Sequence, residues 1–376
     1  MKANPLFTNE ELTRYSRHIT LEGVGLAGQE KIKQASVLVV GAGGLGSPVI
    51  QYLSSTGIGK IGIADDDKVD LTNLQRQVIY KLEDIGKSKA EMAAKWVRRI
   101  NPQVEVKCIE QTIEEKNGNK LCQDYDIICD CTDNFKTRYI LNDLAYKQGK
   151  PYIYGSILGF EGQVGVFNRT SKSPTYRDLV PSPPPEGLMP SCVENGVLGV
   201  LPGIIGTLQA TEIIKIVLDK GIILDGKVVI YNALEMTFRT LTIAKTGNNK
   251  LVKEEHQEKE IKKADNQNLL SPKEMARLLE TSERVLLIDV RKPAETSICK
   301  IDGAKNYPSE EILNNKTLQS KIIKEAKDKK IILYCKSGFR SEKCLRKLIE
   351  YRTNIYSLEG GIKQWIEQID NSLARY

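Results

Sequence analysis

The sequence is poor in the features that mark secreted and membrane proteins. Its first five residues, MKANP, lack the apolar core of a signal peptide. Its longest apolar stretch, residues 197–208, is interrupted by Pro202 and three glycines, so we expect no membrane span. The eight cysteines are sparse, and none forms a C-x-x-C pair. This usage indicates reduced thiols in a cytoplasmic protein rather than a disulfide framework.

The bulk composition is that of a globular protein with more than one domain. A chain of 376 residues exceeds one ordinary hydrophobic core, so two domains are expected and three are possible. Its 40% hydrophobic and 27% charged residues are ordinary for a globular chain. The formal charge of +7 is modest for this length and indicates a mildly basic solvated surface. We therefore expect no nucleic-acid partner.

Strands and helices alternate through most of the chain. A strand at 37–40, a helix through 49–53 and a strand at 58–64 form a βαβ unit. The alternation continues to a strand pair at 228–231 and 237–243. We therefore predict an α/β fold, with a Rossmann-like, doubly wound sheet in the first domain.

Two irregular stretches interrupt this pattern. Residues 168–191 contain six prolines, which argues against regular structure there. Residues 250–263 carry nine charges of mixed sign, as a solvated linker does. We predict a first domain over residues 1–248, a charged linker over 249–268, and a smaller α/β domain over 269–376.

A glycine-rich turn follows the strand at 37–40. Gly41, Gly43 and Gly46 satisfy G-x-G-x-x-G, and Asp65 stands at the end of the next strand. Backbone amides at the start of the following helix bind phosphate, and the acidic residue commonly binds ribose hydroxyls. The pattern predicts an adenine-nucleotide site. Taken alone, it fits an NAD-dependent dehydrogenase.

Polar side chains near other strand ends favour ATP over a nicotinamide cofactor. Asn73, Arg76 and Lys89 lie after the second strand, and Asp133 follows the apolar strand at 127–131. Arginine and lysine neutralise triphosphate charge, and a strand-end aspartate suits Mg²⁺, which prefers carboxylate oxygen. Hydride transfer requires neither a metal ion nor this much positive charge. We therefore predict ATP and Mg²⁺ as the ligands of this site.

Together these motifs resemble those of the ThiF/MoeB/HesA family, the bacterial relatives of ubiquitin-activating enzymes. The similarity covers about residues 5–245 and rests on G-x-G-G-x-G, N-L-x-R-Q, D-C-x-D-N and S-C-V-E-N-G-V, in that order. The resemblance implies that the first domain adenylates the C-terminal glycine of a small ubiquitin-like protein and releases pyrophosphate. That partner would be a sulfur carrier, MoaD- or ThiS-like, that ends in Gly-Gly.

The resemblance also implies a role for each matching residue. Arg17 matches an arginine that this family inserts into the partner subunit's site, which implies a homodimer. The other implied residues are Gly41, Gly43, Gly44, Gly46, Asp65 and Asn134 for the nucleotide, Asn73, Arg76 and Lys89 for its phosphates, and Asp133 for the nucleotide and its Mg²⁺ ion.

A second reactive site is predicted around Cys335. Residues 334–341, YCKSGFRS, follow an apolar strand and precede a helix, so backbone amides and Arg340 would surround the thiol. Such surroundings favour the thiolate and bind anions. Four residues separate Cys335 from Arg340, as in rhodanese-type sulfurtransferases, whereas cysteine phosphatases have five. Residues 269–376 resemble rhodanese, which implies that Cys335 carries a persulfide.

The two resemblances together imply a reaction sequence. The first domain activates a carboxylate as an acyl-adenylate, and the persulfide on Cys335 attacks it. Reduction of the resulting acyl-disulfide releases a thiocarboxylate on the small protein. Such thiocarboxylates supply sulfur for molybdopterin, which is our first choice, for thiamine, and for some tRNA modifications. A cysteine desulfurase is the expected type of persulfide donor.

Cys192, in the motif S-C-V-E-N-G-V, has two interpretations that the sequence leaves open. In relatives this cysteine sometimes links covalently to the small protein, so it could also resolve the acyl-disulfide. Alternatively, it is an ordinary small residue that caps a helix.

Two other functions fit part of the sequence. An NAD-dependent dehydrogenase explains the glycines but leaves Arg17, Arg76, Asp133 and the whole second domain without a role. A non-catalytic scaffold that binds a ubiquitin-like protein would not need the intact lysine, arginines and aspartates.

We predict that the protein has no structural zinc. Most members of the family that the chain resembles hold the proline-rich loop with zinc on two C-x-x-C pairs. The first pair aligns with Thr175–Asp178, which has no cysteine, and no cysteine lies between Cys192 and Cys299. A tetrahedral thiolate site therefore cannot be built. Elemental analysis should find no stoichiometric zinc, and one tightly bound zinc ion per chain would contradict this prediction.

Overall fold

Each of two units of the chain is built around its own β-sheet. The structure, a computed structural model, describes residues 6–183, 196–246, 268–281 and 284–376. The units comprise residues 1–253 and 254–376. Cys192 and nearly all of the predicted linker lie outside the described residues.

The sheet of the first unit has eight strands in the order β3-β2-β1-β4-β5-β6-β7-β8. The strands from β3 to β5 in this order pair in parallel, and those from β5 to β8 pair antiparallel. The strands are β1 (Ser36–Val40), β2 (Lys60–Ala64), β3 (Glu105–Ile109), β4 (Ile127–Asp130), β5 (Tyr152–Leu158), β6 (Glu161–Phe167), β7 (Lys227–Asn232) and β8 (Thr237–Thr242). The described helices are α1 (Asn9–Arg14), α2 (Ser16–Ile19), α3 (Gly25–Gln34), α4 (Gly46–Thr56), α5 (Lys89–Ile100), α6 (Glu115–Cys122), α7 (Phe135–Gln148), α8 (Tyr176–Leu179) and α9 (Leu201–Leu218).

The central strand β1 shows why this sheet is covered on both faces. Its residues after Ser36 are all apolar and buried, as expected for a strand with helices on both sides. Val37 and Val39 lie in one hydrophobic cluster, with residues of α4, α5 and α9. Leu38 and Val40 lie in a second cluster, with residues of α7. The predicted doubly wound α/β fold is therefore confirmed.

The helix ends follow local sequence signals. Thr8 and Glu11 form the capping box expected at the start of α1, because each side chain bonds the backbone N–H of the other residue. The sequence pattern alone predicts a helix over residues 205–218, ended by Lys220 and Gly221, but the helix begins at Leu201. The prediction was wrong at this end because Pro202 occupies the first turn, where its missing N–H has no helical partner to lose.

Helix α9 has the length and apolarity of a membrane span, with a mean hydropathy of 1.4 over 18 residues. The core helix of a globular domain passes the same test, and α9 packs against α4, β5 and β6. It also carries the buried polar side chains Gln209 and Glu212. Among the described residues no other helix has this character.

The described part of the proline-rich stretch, residues 168–183, includes a short helix, α8, although the prolines argued against regular structure there. The carboxylate of Asp178 stabilises the start of this helix. Its Oδ2 accepts from the N–H of Thr175 at 2.7 Å and from the hydroxyl of Thr175 at 3.0 Å. The other oxygen, Oδ1, accepts from the N–H and hydroxyl of Thr246 at 2.9 and 2.6 Å. Asp178 thus joins two distant segments at the position where the first C-x-x-C pair of the family aligns.

The second unit has a five-stranded, parallel sheet in the order β11-β10-β12-β13-β9. Its strands are β9 (Leu269–Leu270), β10 (Val285–Asp289), β11 (Lys305–Asn306), β12 (Lys330–Tyr334) and β13 (Ile355–Leu358). The described helices are α10 (Pro272–Thr281), α11 (Pro293–Ile298), α12 (Ser309–Asn314), α13 (Lys316–Ala326), α14 (Phe339–Leu348) and α15 (Gly361–Gln368). Separate clusters of buried residues lie on its two faces.

We predict that Asp178 stabilises the first unit in a pH-dependent way. Burial raises the pKa of Asp178, but its hydrogen bonds from Thr175 and Thr246 outweigh burial and hold the pKa below the usual value. The stabilisation is therefore present above the unfolded pKa of about 3.9 and is lost as pH falls through the folded-state pKa. Asp178→Asn should lower the melting temperature at neutral pH, and the difference from wild type should shrink in acid.

Thermal unfolding across a pH series checks this, with Glu22→Gln as the control. Glu22 is an exposed carboxylate of the same unit, so its substitution should shift the melting temperature little at any pH. A loss in Asp178→Asn that is equally large in acid and at neutral pH would contradict the assignment.

Candidate functional site

The carboxyl ends of β1, β2 and β4 open into one cavity of about 650 Å³. This size is in the range of ligand pockets, about 300–1,000 Å³. Because β1 pairs in parallel with both β2 and β4, the loops that follow the three strands meet at one edge. Gly46 and Arg17 do not line the cavity. The predicted residues that do are Gly41, Gly43, Gly44, Asp65, Asn73, Arg76, Lys89, Asp133 and Asn134.

The glycine loop passes so close to its neighbours that side chains are excluded. Gly41 has φ +92°, and a Cβ there would lie 2.7 Å from the carbonyl oxygen of Cys131. A Cβ on Gly46 would lie 2.0 Å from the carbonyl oxygen of Gly41. Glycine at these two positions keeps the start of α4 against the ends of β1 and β4, where its backbone amides can face an anion.

Asp65 holds the glycine loop from the end of β2. Its Oδ2 accepts from the N–H of Ala42 at 2.7 Å, and its Oδ1 accepts from the N–H of Asp67 at 2.9 Å. Burial raises the pKa of Asp65, and the bond from Ala42 opposes this. The carboxylate that the sequence analysis placed on the ribose therefore also shapes the loop.

The predicted phosphate-binding side chains are ordered by bonds within the chain. Lys89, at the start of α5, is nearly buried, and its Nζ lies 2.9 Å from Asp67 Oδ2. Arg76 Nη1 donates to the carbonyl of Thr72 at 2.9 Å. Asn73 Oδ1 accepts from the N–H of Asp70 at 3.1 Å. Two cations and an amide thus stand on one wall of the cavity.

Asp133 lines the same cavity and lies between β4 and α7. Its side chain is exposed to the cavity, and the adjacent Asn134 caps α7 by accepting from the N–H of Thr137 at 2.9 Å. Among the described residues no three acidic, histidine or cysteine side chains form a metal cluster. Mg²⁺ does not require one, because it commonly binds one or two carboxylates together with substrate phosphates. The donor set therefore fits Mg²⁺ held jointly by Asp133 and a nucleotide.

Arg17 is exposed on α2 and is not brought to the cavity of its own chain. Its predicted role in a partner subunit stays a prediction.

In the second unit Cys335 lies between the end of β12 and the start of α14. Its Sγ is 3.1 Å from the donating N–H of Gly338 and 3.6 Å from the hydroxyl of Ser341. Ser341 is in turn held by the hydroxyl of Ser357 at 2.8 Å. The sulfur thus lies beside hydrogen-bond donors at the N-terminus of α14. These donors stabilise negative charge on the sulfur.

Arg340 lies on the same helix and has a partner that the sequence analysis missed. Its Nη1 and Nη2 each lie 2.7 Å from a carboxylate oxygen of Glu295. Burial raises the pKa of Glu295, and the bond from Arg340 lowers it, with a net lowering. The charge of the arginine beside Cys335 is therefore balanced by a carboxylate.

Comparison with protein families identifies the family to which the chain belongs. The sequence model of the ThiF family matches residues 15–252, and that of the rhodanese-like domain matches residues 271–368. The chain belongs to the ThiF family. Residues 15–252 are called the ThiF domain below, and residues 271–368 the rhodanese-like domain.

Two of the curated relatives reported next match nearly the whole of this ThiF-family chain, and a third matches 63% of it. A probable adenylyltransferase/sulfurtransferase MoeZ of Mycobacterium tuberculosis is 40% identical over 98% of this chain and 96% of its own length. The adenylyltransferase and sulfurtransferase MOCS3 of Culex quinquefasciatus is 36% identical over 98% of this chain and 90% of its own length. A sulfur carrier protein adenylyltransferase of Thermus thermophilus is 46% identical over 63% of this chain and 89% of its own length. The chain is accordingly an enzyme of the adenylyltransferase and sulfurtransferase type.

Solved structures share the fold. The crystal structure of E. coli MccB with ATP has a TM-score of 0.55 and 23% identity, over 65% of this chain and 73% of that chain.

Some polar residues that line the cavity of the ThiF domain were given no role from the sequence, among them Gln77 and Arg138. Asp130 is buried and forms an ion pair with Arg138. Gln77 Oε1 is buried and has no hydrogen-bond partner among the described residues, as expected of a group that meets a ligand. Gln77 ends the motif N-L-x-R-Q and Asp130 begins the motif D-C-x-D-N. Their polar side chains within these motifs could have indicated a role in the site. Arg138 follows its motif and reads as an ordinary helix residue.

We predict that the approach of α9 to the glycine loop is required for nucleotide binding. A Cβ on Gly206 would lie 2.4 Å from the carbonyl oxygen of Leu45, whereas a Cβ on Gly203 would meet open space. Gly206→Ala should therefore displace the start of α4, costing about 1–3 kcal/mol of stability and weakening ATP binding. Gly203→Ala should preserve ATP binding and raise stability by about 0.5–1 kcal/mol, since alanine favours the helix.

Calorimetric titration with ATP and thermal unfolding of the two variants check this. Equal ATP affinity in Gly206→Ala and Gly203→Ala would show that the close packing of α9 does not control the loop.

Proposed function

We propose that the ThiF domain adenylates the C-terminal glycine of a ubiquitin-like sulfur carrier that ends in Gly-Gly. The rhodanese-like domain then supplies sulfur from a Cys335 persulfide, so that the carrier leaves as a thiocarboxylate. The observation that carries the proposal is the shared cavity, in which Arg76, Lys89 and Asp133 face the glycine loop. Relatives named as a sulfur carrier protein adenylyltransferase and as a SAMP-activating enzyme E1 support this class of substrate.

The cavity suits attack of a carboxylate on the α-phosphorus of ATP. The glycine loop and the N-terminus of α4 hold the phosphates, and Arg76 and Lys89 offset the charge that develops on the leaving pyrophosphate. Asp133 would hold Mg²⁺, which neutralises phosphate charge when bound. No protein nucleophile is needed, because the carboxylate of the carrier is itself the nucleophile, and catalysis consists of positioning and charge stabilisation.

The two cationic side chains have partners that they could exchange for phosphate. Lys89 is bonded to Asp67, and the Asp67 side chain is largely exposed. An arriving triphosphate offers Lys89 more negative charge than one carboxylate does. Arg17 would complete the charge balance from the partner subunit of a homodimer.

Sulfur transfer balances as two substitutions. The terminal sulfur of Cys335–S–S⁻ attacks the acyl carbon, the bond from that carbon to the AMP oxygen breaks, and AMP leaves. A thiolate then attacks the Cys335 sulfur of the acyl-disulfide, so the carrier leaves as a thiocarboxylate and a new disulfide forms. Cys192 or an external thiol would supply that thiolate. The backbone N–H of Gly338 donates to the Cys335 sulfur, so it would stabilise the thiolate that accepts sulfur from the donor.

We place the reaction in a cytoplasmic sulfur-transfer pathway. A cysteine desulfurase is the proposed persulfide donor. Molybdopterin synthesis is the first choice of pathway, because a probable molybdopterin-synthase adenylyltransferase of Porphyra purpurea is 39% identical over 97% of this chain. Thiamine synthesis is the second choice.

Isotope exchange between pyrophosphate and ATP, in the presence of a purified Gly-Gly-ended sulfur carrier, tests adenylation. Wild type should catalyse exchange, and Asp133→Ala should lower its rate by about 10²-fold or more, since it removes a group that stabilises transition-state charge. Asp124→Ala is the control, because Asp124 is an exposed aspartate outside the cavity lining. NADH binding without exchange would favour a dehydrogenase, and unimpaired exchange in Asp133→Ala would refute the metal assignment.

Cys335→Ala separates the two half-reactions. Exchange should persist, because the thiol belongs to the rhodanese-like domain, whereas thiocarboxylate formation should stop. The mass of the carrier after incubation with ATP and a persulfide donor measures this. Thiocarboxylate formation by Cys335→Ala at the wild-type rate would remove Cys335 from the mechanism.

A further inference from the structure

Thr132, the residue before Asp133, is bonded at all three of its polar groups. Its N–H and its hydroxyl both donate to Asp130 Oδ1, at 2.8 and 2.6 Å. Its carbonyl oxygen accepts from Arg138 Nη2 at 2.9 Å. One carboxylate and one guanidinium therefore hold this peptide from opposite sides.

Asp130 and Arg138 are charged side chains in the interior. Asp130 is 0% exposed and Arg138 is 6% exposed. Arg138 Nε lies 3.8 Å from Asp130 Oδ2, which also accepts a hydrogen bond from the hydroxyl of Tyr152. A buried ion pair is weak as a source of stability, because desolvation of two charges offsets their attraction. Because Arg138 lines the cavity, a role of this ion pair in the site explains its presence better than stability does.

Arg138 also bonds to β5, the strand that pairs with β4. Its Nη2 donates to the carbonyl of Gly155 at 3.2 Å, and its Nη1 donates to the hydroxyl of Ser156 at 3.2 Å. These two residues belong to β5, and Ser156 lines the cavity together with Thr132. The guanidinium thus links the loop that carries Asp133 to β5.

We propose that Asp130 and Arg138 are positioning residues that fix Thr132 so that Asp133 presents its carboxylate to nucleotide-bound Mg²⁺. The inference rests on the proposed role of Asp133 as a magnesium ligand. Asp133 is exposed to the cavity, so the backbone of its neighbour largely determines where its carboxylate lies. Groups that orient a metal ligand typically change metal affinity by about 10–100-fold when they are removed.

The test compares the Mg²⁺ dependence of ATP binding in variants of the full chain. Thr132→Val removes only the hydroxyl bond to Asp130, and Arg138→Lys keeps the charge but loses the planar set of donors. Each should raise the Mg²⁺ concentration for half-saturation by about tenfold or more. The affinity for ATP without a divalent ion should stay within about twofold, as expected of a loss in metal positioning.

Arg177→Lys is the matched control. Arg177 makes a two-bond ion pair with Asp143, at 2.8 and 2.7 Å, and does not line the cavity. Its substitution weakens a similar ion pair of the same domain, so the Mg²⁺ dependence should remain that of wild type. A general loss of packing would affect Arg177→Lys and Arg138→Lys alike, and would lower both ATP affinities together.

Asp133→Asn separates this inference from the proposed function. If Asp133→Asn needs more Mg²⁺ but Thr132→Val and Arg138→Lys behave as wild type, the positioning role is wrong and the metal assignment stands. If Asp133→Asn itself has the wild-type Mg²⁺ dependence, the metal assignment fails and the inference fails with it. Should Arg138→Lys not fold, Thr132→Val decides alone, because it buries no new charge and keeps the shape of the side chain.

Discussion

The parallel hydrogen bonding of β1 to both β2 and β4 is the constraint on which the nucleotide site depends. Val37–Val40 pairs with Ile61–Ala64 on one side and with Ile127–Asp130 on the other. The three strands therefore end at one edge, where the glycine loop, Asp65 and Asp133 follow them. The contact between Gly41 and the carbonyl of Cys131 fixes how closely two of these loops approach. A change of register would separate groups that the proposed chemistry needs together.

The rhodanese-like domain also places its candidate site after a strand of a parallel sheet, but this site faces one sulfur atom rather than a nucleotide. Its sheet is parallel, and β10, which ends at Asp289, pairs with β12, which Cys335 follows. The glycine loop of the ThiF domain is arranged for a triphosphate, whereas the Cys335 loop offers donors to one sulfur. In each domain, the proposed function uses backbone amides at the start of a helix that follows a strand.

Sequence reasoning reached the residues whose local pattern carries a function. The glycine loop and Asp65 follow neighbouring strands of one sheet, so parallel pairing makes their meeting predictable. Cys335 follows a strand of the other unit in the same way. Partners distant in the sequence were not predictable, because no local pattern links Arg340 to Glu295, or Asp178 to Thr246. The N-terminus of α9 was missed because Pro202 was taken as an interruption rather than as a first-turn residue.

The central claim is that a carboxylate attacks the α-phosphorus of ATP in the cavity of the ThiF domain. The most direct measurement follows heavy oxygen placed in the C-terminal carboxylate of a Gly-Gly-ended sulfur carrier through one full turnover with a persulfide donor. The account predicts that heavy oxygen appears in AMP, because the carboxylate oxygen bonded to phosphorus leaves with it. Heavy oxygen in inorganic phosphate, with ADP as the nucleotide product, would contradict the account by placing the attack at the γ-phosphorus.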